Sequence, residues 1–198
     1  MNINFIDLIF FPVLSLLILI CILGYGIFFN KYIYINEDKI GLKNLIFIQG
    51  LIFVGLVFIF INFFYPISDT LSIITILLGT LLYVINFLKI ERKKPELNFL
   101  FFVLIFNFIY CFYAGISDDF IYHFETIKNF KNKNLFEILH DRRISYNSHW
   151  LFLTSIFSLS YLNSTLFILT SLFFTISIYD FLKLSFVITK NKNYYLSI

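Results

Sequence analysis

Four long segments of this chain contain no Asp, Glu, Lys or Arg: residues 8–29, 44–67, 71–88 and 97–115. Their lengths are close to the roughly 20 residues that a helix needs to cross the hydrocarbon core of a bilayer. Because backbone amides in lipid must find their partners within the same segment, each run is predicted to be a transmembrane helix. Hydrophobic residues make up 60% of the 198 positions, which excludes a water-soluble domain and makes the lipid bilayer the first expected partner.

The last third of the sequence predicts two more spans, at 148–162 and 165–188. No charged residue occurs between Trp150 and Tyr179, but Asn163-Ser164-Thr165 interrupts this apolar stretch in the middle. A hairpin that enters the membrane from one side is the alternative. The expected fold is therefore all-α: one polytopic membrane domain over 1–198 with about six transmembrane helices.

The basic residues predict the orientation of these helices. Loops 31–43 and 89–96 carry seven Lys and Arg residues, whereas the N-terminal tail and loop 67–70 carry none. By the positive-inside rule, the two basic loops are expected in the cytoplasm, and the N-terminus and loop 116–149 outside. Six spans would also place the tail from Lys190 onward outside.

Two charged residues lie near the end of the last predicted helix. Asp180 and Lys183 are three positions apart, so they can pair on one helix face.

Residues 118–150 hold most of the chain's reactive side chains, including all three histidines, the single tryptophan and ten of the 27 charged residues. Phe120, Phe124 and Ile127 recur at i, i+4 and i+7, which predicts a short amphipathic helix on the membrane surface. The polar residues that this helix would place on its other faces are His123, Glu125, Lys128 and Lys131.

A second short helix is expected directly after the first. Asn134, followed three residues later by Glu137, is typical of a helix start and predicts a helix from Leu135 to His140. A polar elbow follows and leads to Trp150, which is expected in the aromatic belt at the headgroup level.

Acidic and basic pairs in this window suggest chemistry. Asp118 and Asp119 come directly before the first surface helix, where partial desolvation would make a carboxylate basic enough to accept a proton from a hydroxyl or to hold a divalent cation. Capping of the helix is the alternative role. Arg142 and Arg143 can bind phosphate oxygens in pairs, or they can reach toward lipid headgroups. His123 lies four residues after Asp119, so the two could share a proton or a metal, but one such pair is weak evidence and no metal site is predicted. The cofactor is unknown, with a divalent cation as one possibility.

One stretch carries a family resemblance. Ser117-Asp-Asp-Phe-Ile-Tyr-His123, then Ile127-Lys128, then Arg143-x-x-Tyr146-Asn147-Ser148-x-Trp150, resembles a group of bacterial multi-pass proteins related to the GT-C glycosyltransferases. The resemblance covers about 35 of the 198 residues. It implies an enzyme of the bacterial plasma membrane that takes its sugar from a polyprenyl-phosphate-linked donor.

The resemblance also implies roles for individual residues. Asp118 or Asp119 would be the catalytic base that activates the acceptor hydroxyl, and Arg142 or Arg143 would face the donor phosphate. The remaining residues that it assigns to substrate binding are Tyr122, His123, Asn147 and Ser148.

The chain departs from the family pattern in two ways. Its acidic loop follows the fourth predicted span, whereas most of the superfamily places this loop after the first. It has about six predicted spans, whereas these enzymes usually have eight or more, so an incomplete form or one part of a split enzyme is expected.

Other classes of protein stay open. One is an O-antigen polymerase-like or ligase-like protein, and another is a non-catalytic membrane subunit or transporter component. The absence of charged residues within the first four spans argues against a transporter. The formal charge of +3 is dispersed, which gives no indication of a nucleic-acid partner.

Overall fold

The computed structural model describes residues 5–33, 43–89, 97–113, 120–139, 149–160 and 168–195. These residues form eight α-helices and no strand, which confirms the all-helical fold. In chain order the helices are α1 Phe5–Ile33, α2 Lys43–Asn62, α3 Asp69–Lys89, α4 Leu97–Tyr113, α5 Phe120–Asn132, α6 Leu135–Leu139, α7 His149–Phe157 and α8 Ile168–Tyr195.

Four of these helices are long and apolar enough to cross a membrane. They are α1, α2, α3 and α8, with candidate spans Phe10–Lys31, Asn44–Asn62, Asp69–Asn86 and Ile168–Phe186. The apolar part of α4 is shorter, Asn98–Tyr110. Large apolar side chains such as Phe60 and Leu77 are mostly exposed. An outer surface of this kind is compatible with a lipid environment.

Helix α1 forms the centre of the bundle and packs against α2, α3 and α4. Its residues Ile18, Leu19 and Ile22 are fully buried. The contact with α3 is close because Gly24 faces Gly79: a Cβ on Gly24 would overlap the carbonyl oxygen of Gly79. Small residues at this crossing let the two backbones approach, as is usual between membrane helices.

The connection between α2 and α3 is a capped turn. Helix α2 ends at Asn62, whose Nδ2 donates to the carbonyl oxygen of Tyr65 at 3.0 Å. The amide of Leu71 donates to Ser68 Oγ at 3.3 Å at the start of α3. The sequence placed a helix stop at Pro66 and a helix start at Asp69. The start is confirmed, and α2 ends four residues before the proline.

Helices α4 and α8 are antiparallel and share a buried polar contact. Ser171 Oγ donates to Asn107 Oδ1, and Asn107 Nδ2 donates to the carbonyl oxygen of Val103 at 2.7 Å. Nearer the start of α4, the ring of Phe99 lies 4.8 Å from that of Tyr179, measured between centroids. Interhelical hydrogen bonds of this kind fix the pairing of two helices in an apolar environment.

The basic end of the bundle is the end at which residues 34–42 and 90–96 join the helices. Helix α8 reaches this end, because Asp180 Oδ2 accepts a hydrogen bond from the amide of Asn44 at 2.8 Å. Asp180 therefore caps the first turn of α2. The predicted Asp180–Lys183 pair is not formed, since the second oxygen, Oδ1, is buried without a hydrogen-bond partner.

This contact also corrects the position of the C-terminal tail. Tyr179 and Asp180 contact the starts of α4 and α2, so α8 points toward the same side as both basic loops. The sequence had placed the tail from Lys190 onward on the opposite side from these loops, and that prediction is wrong. The prediction fails because it assumed a full-length span where the structure has the short helix α7.

Helix α7 covers the segment for which a span at 148–162 was predicted. It has nine residues. At 1.5 Å per residue they rise about 13 Å, less than half of a ~30 Å hydrocarbon core. Leu153 lies against Gly55 near the middle of α2. The residues after α7 reach Asp69 at the start of α3. Helix α7 thus extends from the middle of the bundle to the end opposite the basic loops, which we call the α5 end.

Candidate functional site

Most of the residues predicted to form a site lie outside the described part of the chain. These are Asp118, Asp119, Arg142, Arg143, Asn147 and Ser148. Tyr122 and His123 lie in the first turn of α5, where the backbone is described and the side chains are not. The described geometry therefore comes from α5 and α7, the two helices that directly follow the acidic pair and the Arg/Asn-Ser element.

A buried lysine fastens α5 to the bundle. The side chain of Lys131 is only 5% exposed, and its Nζ donates three hydrogen bonds: to Asp69 Oδ1 at 2.9 Å, to Ser72 Oγ at 2.7 Å and to the carbonyl oxygen of Ser158 at 2.6 Å. An ammonium group has three hydrogens, so each has an acceptor. The first two acceptors belong to α3 and the third to the residue after α7. The Lys131 side chain therefore joins α5 to α3 and α7.

Asp69 completes this group, which we call the Lys131 cluster: Asp69, Ser72, Lys131, Ser158 and Ser160. Ser160 Oγ donates to Asp69 Oδ1 at 3.0 Å, and the amide of Ser160 donates to both carboxylate oxygens at 3.2 Å. Burial lowers the pKa of Lys131, while the hydrogen bond and the negative charge of Asp69 act in the opposite direction. The three acceptors around Nζ match the charged ammonium form.

Lys131 corrects one expectation from the sequence. The residue was placed on a polar face of the surface helix, but it lies four positions after Ile127, which is buried on the same side. Residues i and i+4 share a helix face. The spacing to Ile127 was the signal from which the burial of Lys131 could have been predicted. Its acceptors, on α3 and after α7, are distant in sequence and could not be recognised from it.

Backbone and aromatic contacts hold α5 at the same place. The amide of Ile67 donates to the carbonyl oxygen of Phe130 at 3.0 Å. The ring of Phe130 packs edge-on against Phe152 of α7, with centroids 5.2 Å apart. Helices α5 and α7 therefore pack directly on each other at the α5 end of the bundle.

The second short helix begins as the sequence predicted. The amide of Glu137 donates to Asn134 Oδ1 at 3.0 Å, and Asn134 Nδ2 donates back to Glu137 Oε1 at 2.8 Å. This reciprocal pair is the capping arrangement expected from the three-residue spacing. The ring of Phe136 lies 5.4 Å from Phe63 at the end of α2, so α6 also covers the α5 end.

An apolar groove of about 440 Å³ lies between α2, α7 and α8. Its wall on α2 includes Ile48 and Ile59, and its wall on α7 includes His149 and Trp150. Trp150 Nε1 donates to Thr170 Oγ1 at 3.1 Å, which fixes the indole between α7 and α8. Trp150 thus shares the groove with residues from the middle of α2, and its expected place in a headgroup belt stays a prediction.

The described residues do not supply a site for a divalent metal ion. Within the described ranges, no three His, Cys, Asp or Glu side chains come together in a way that could hold an ion. Among the described residues, Lys131 and Asp69 form an ion pair at 2.9 Å, so the carboxylate is held by a cation of the protein itself. Their arrangement fastens α5 to the start of α3 and to the end of α7.

Comparison with known proteins gives a family. No curated protein matches the chain, and no solved structure matches it. The chain belongs to the family described as Domain of unknown function (DUF8201), whose model matches residues 8–198.

Proposed function

We propose that this protein transfers a sugar from a lipid-phosphate-linked donor to an extracytoplasmic acceptor, on the side of the bundle that holds α5 and α7. One observation carries the proposal: α5 and α7, which follow the two parts of the glycosyltransferase-like motif, pack against each other. Asp118 and Asp119 directly precede α5, and Asn147 and Ser148 directly precede α7. The acidic pair and the Asn-Ser element are more than 25 positions apart in sequence, but each directly precedes one helix of a packed pair.

The proposed placement is a bacterial plasma membrane with the basic end in the cytoplasm and the N-terminus outside. Helix α4 would cross as a fifth span, and α7 would enter from the outside as a half-length helix. Ten of the 15 Lys and Arg residues of the chain would then lie in the cytoplasm or close to it. The positive-inside rule favours this arrangement over six full spans, which would put the lysines of the tail outside.

The proposed reaction is a displacement at the anomeric carbon of the donor sugar. Asp118 or Asp119 accepts the proton of the acceptor hydroxyl as its oxygen attacks that carbon. The bond from the anomeric carbon to the phosphate oxygen breaks, and the lipid phosphate leaves with the electron pair. Arg142 or Arg143 stabilises the negative charge that develops on this phosphate.

The remaining motif residues would shape the pocket around this reaction. Tyr122 and His123, in the first turn of α5, follow the acidic pair by three to five residues in sequence. Asn147 and Ser148 would supply hydrogen bonds to substrate hydroxyls. The Lys131 cluster supports the proposal because it holds the far end of α5 against α3 and the end of α7.

The test is the double substitution Asp118→Asn and Asp119→Asn, expressed in cells whose own copy of the gene has been deleted. We expect loss of the surface glycan, because an amide cannot accept the proton. Glu125→Gln is the matched control, since Glu125 is an exposed carboxylate on the same surface helix. An unchanged glycan in the double variant, at normal protein level, would reject a catalytic role for these aspartates.

A further inference from the structure

We propose that the basic end of the bundle binds one monovalent alkali cation through side-chain oxygens of Asn30, Asn44 and Asp180, which belong to α1, α2 and α8. Oδ1 of each of these three residues is buried and has no hydrogen-bond partner. The site lies at the opposite end of the bundle from the Lys131 cluster, so the proposal does not depend on the proposed function.

Asp180 supplies the negative charge of this site. The residue is only 5% exposed, and its Oδ2 accepts a hydrogen bond from the amide of Asn44 at 2.8 Å. Among the described residues, no lysine or arginine forms an ion pair with Asp180. Because a buried carboxylate costs free energy unless a positive charge compensates it, a cation from solution is the partner that this position requires.

The packing of α1 on α2 brings Asn30 to the level of Asn44. A Cβ on Gly26 would overlap the carbonyl oxygen of Ile46, so these two residues lie opposite each other on antiparallel helices. Asn30 is four positions beyond Gly26, and Asn44 is two positions before Ile46, which leaves them about 3 Å apart along the bundle axis. Residues four positions apart share a helix face, so Asn30 lies on the side of α1 that faces α2.

The unpartnered atoms of the site are all oxygens. Buried acceptors in folded proteins normally have a partner, and carboxylate and asparagine oxygens are ligands of hard cations. Asn30 lies in the last turn of α1, where the negative end of the helix dipole also favours a cation. Oδ2 of Asp180 caps the start of α2, which leaves Oδ1 for the ion.

The charge of the site favours a monovalent ion. One carboxylate and two neutral amides carry a single negative charge, which one alkali cation neutralises. A divalent ion would leave an uncompensated positive charge in a buried place, and Ca²⁺ sites commonly use several carboxylates. The bound ion joins α1, α2 and α8 at the end of the bundle where the basic loops begin.

Thermal unfolding of the full chain in detergent tests the site. The midpoint is compared in NaCl, KCl and choline chloride at equal ionic strength, because choline has the same charge but is too large for a buried site. We expect NaCl or KCl to raise the midpoint by about 5 °C over choline chloride, since an ion that binds only the folded chain stabilises it. Equal midpoints in the three salts would overturn the proposal and assign these oxygens to water.

Two variants remove parts of the site. In Asp180→Asn the side-chain oxygen can still accept from the amide of Asn44, while the new NH₂ group can donate to the neighbouring oxygens. We therefore expect this variant to fold and to lose the response to NaCl and KCl. Asn30→Leu removes one ligand from a different helix, so it tests the site independently and should reduce the response.

Gln49→Leu is the matched control. Gln49 Oε1 is another buried oxygen without a hydrogen-bond partner. Gln49 lies five positions after Asn44, roughly 140° around α2, so it faces away from the site. Its variant should respond to the salts like the unmodified chain. A full response in Asp180→Asn or in Asn30→Leu, or loss of the response in Gln49→Leu, would each overturn the proposal.

Discussion

Lys131 is a charged residue in an apolar surrounding, and its burial costs free energy unless every hydrogen finds an acceptor. The structure supplies all three acceptors, with one carboxylate oxygen among them. A buried pair of this kind adds little net stability compared with apolar packing, but losing one partner leaves the other charge uncompensated. The Lys131 cluster therefore determines the position of α5 and adds little to the stability of the bundle.

We predict that Lys131→Met lowers the free energy of unfolding by about 2 kcal/mol, the size expected for lost hydrogen bonds to a charged group. The value is moderate because Asp69 is 29% exposed and keeps its hydrogen bonds from Ser160. Lys128→Met, at an exposed position of the same helix, should change stability by less than about 0.5 kcal/mol. Thermal unfolding in detergent measures both variants, and equal effects would contradict the assigned role of Lys131.

Single residues also mark the limits of the sequence analysis. The reciprocal cap of Asn134 and Glu137 could be predicted, because both partners lie within one helical turn. Asp180 could not be placed, because its partner is the amide of Asn44, 136 positions away. The nearby Lys183 offered a local partner, but the free amides at the start of α2 are the groups that Asp180 caps in the folded chain.

Among the helices, the close pairing of α1 and α3 depends on two glycines. A Cβ on Gly24 would overlap backbone atoms of Gly79, and one on Gly79 would lie 2.5 Å from Cys21 Sγ. Backbone atoms cannot move aside without separating the helices. This crossing lies in the centre of the bundle, since α1 is the most buried of the candidate spans.

We predict that Gly24→Ala destabilises the bundle by about 1–3 kcal/mol, the usual cost of overpacking a well-packed core. Gly55→Ala is the matched control, because the added Cβ would meet only the flexible end of Leu153, at 2.9 Å. The measurement is the midpoint of thermal unfolding in detergent. If Gly55→Ala were the more harmful substitution, close backbone packing of α1 on α3 would not be the constraint.

The lengths of the helices show why α7 was not anticipated. The uncharged runs located α1, α2, α3 and α4 within a few residues, since a continuous apolar segment in lipid must be helical. The run after Trp150 is also uncharged, but composition does not say where a helix begins or how deep it lies. The hydrogen bonds from Lys131 to Ser158 and from Trp150 to Thr170 set these limits, and both are tertiary contacts.

For the whole molecule, the length of α7 decides the topology. Four predicted spans followed by two more would return the tail to the side of the N-terminus, whereas a half-length α7 leaves it on the opposite side. The contacts of Asn44 with Asp180 and of Phe99 with Tyr179 place α8 at the basic end. The two basic loops and the lysines of the tail then belong to the same end of the bundle. The packing of α8 therefore agrees with the distribution that the positive-inside rule predicts.

We predict that the tail is cytoplasmic and the elbow between α6 and α7 is not. In a background with Cys21 and Cys111 replaced by alanine, Ser197→Cys should react with a membrane-impermeant maleimide only after the cells are opened. Ser145→Cys should react in intact cells, and Glu37→Cys, in the first basic loop, should behave like Ser197→Cys. A six-span chain would instead expose the tail and the elbow on the same side. Labelling of Ser197→Cys in intact cells, with Glu37→Cys protected, would therefore mean that α7 crosses the membrane fully.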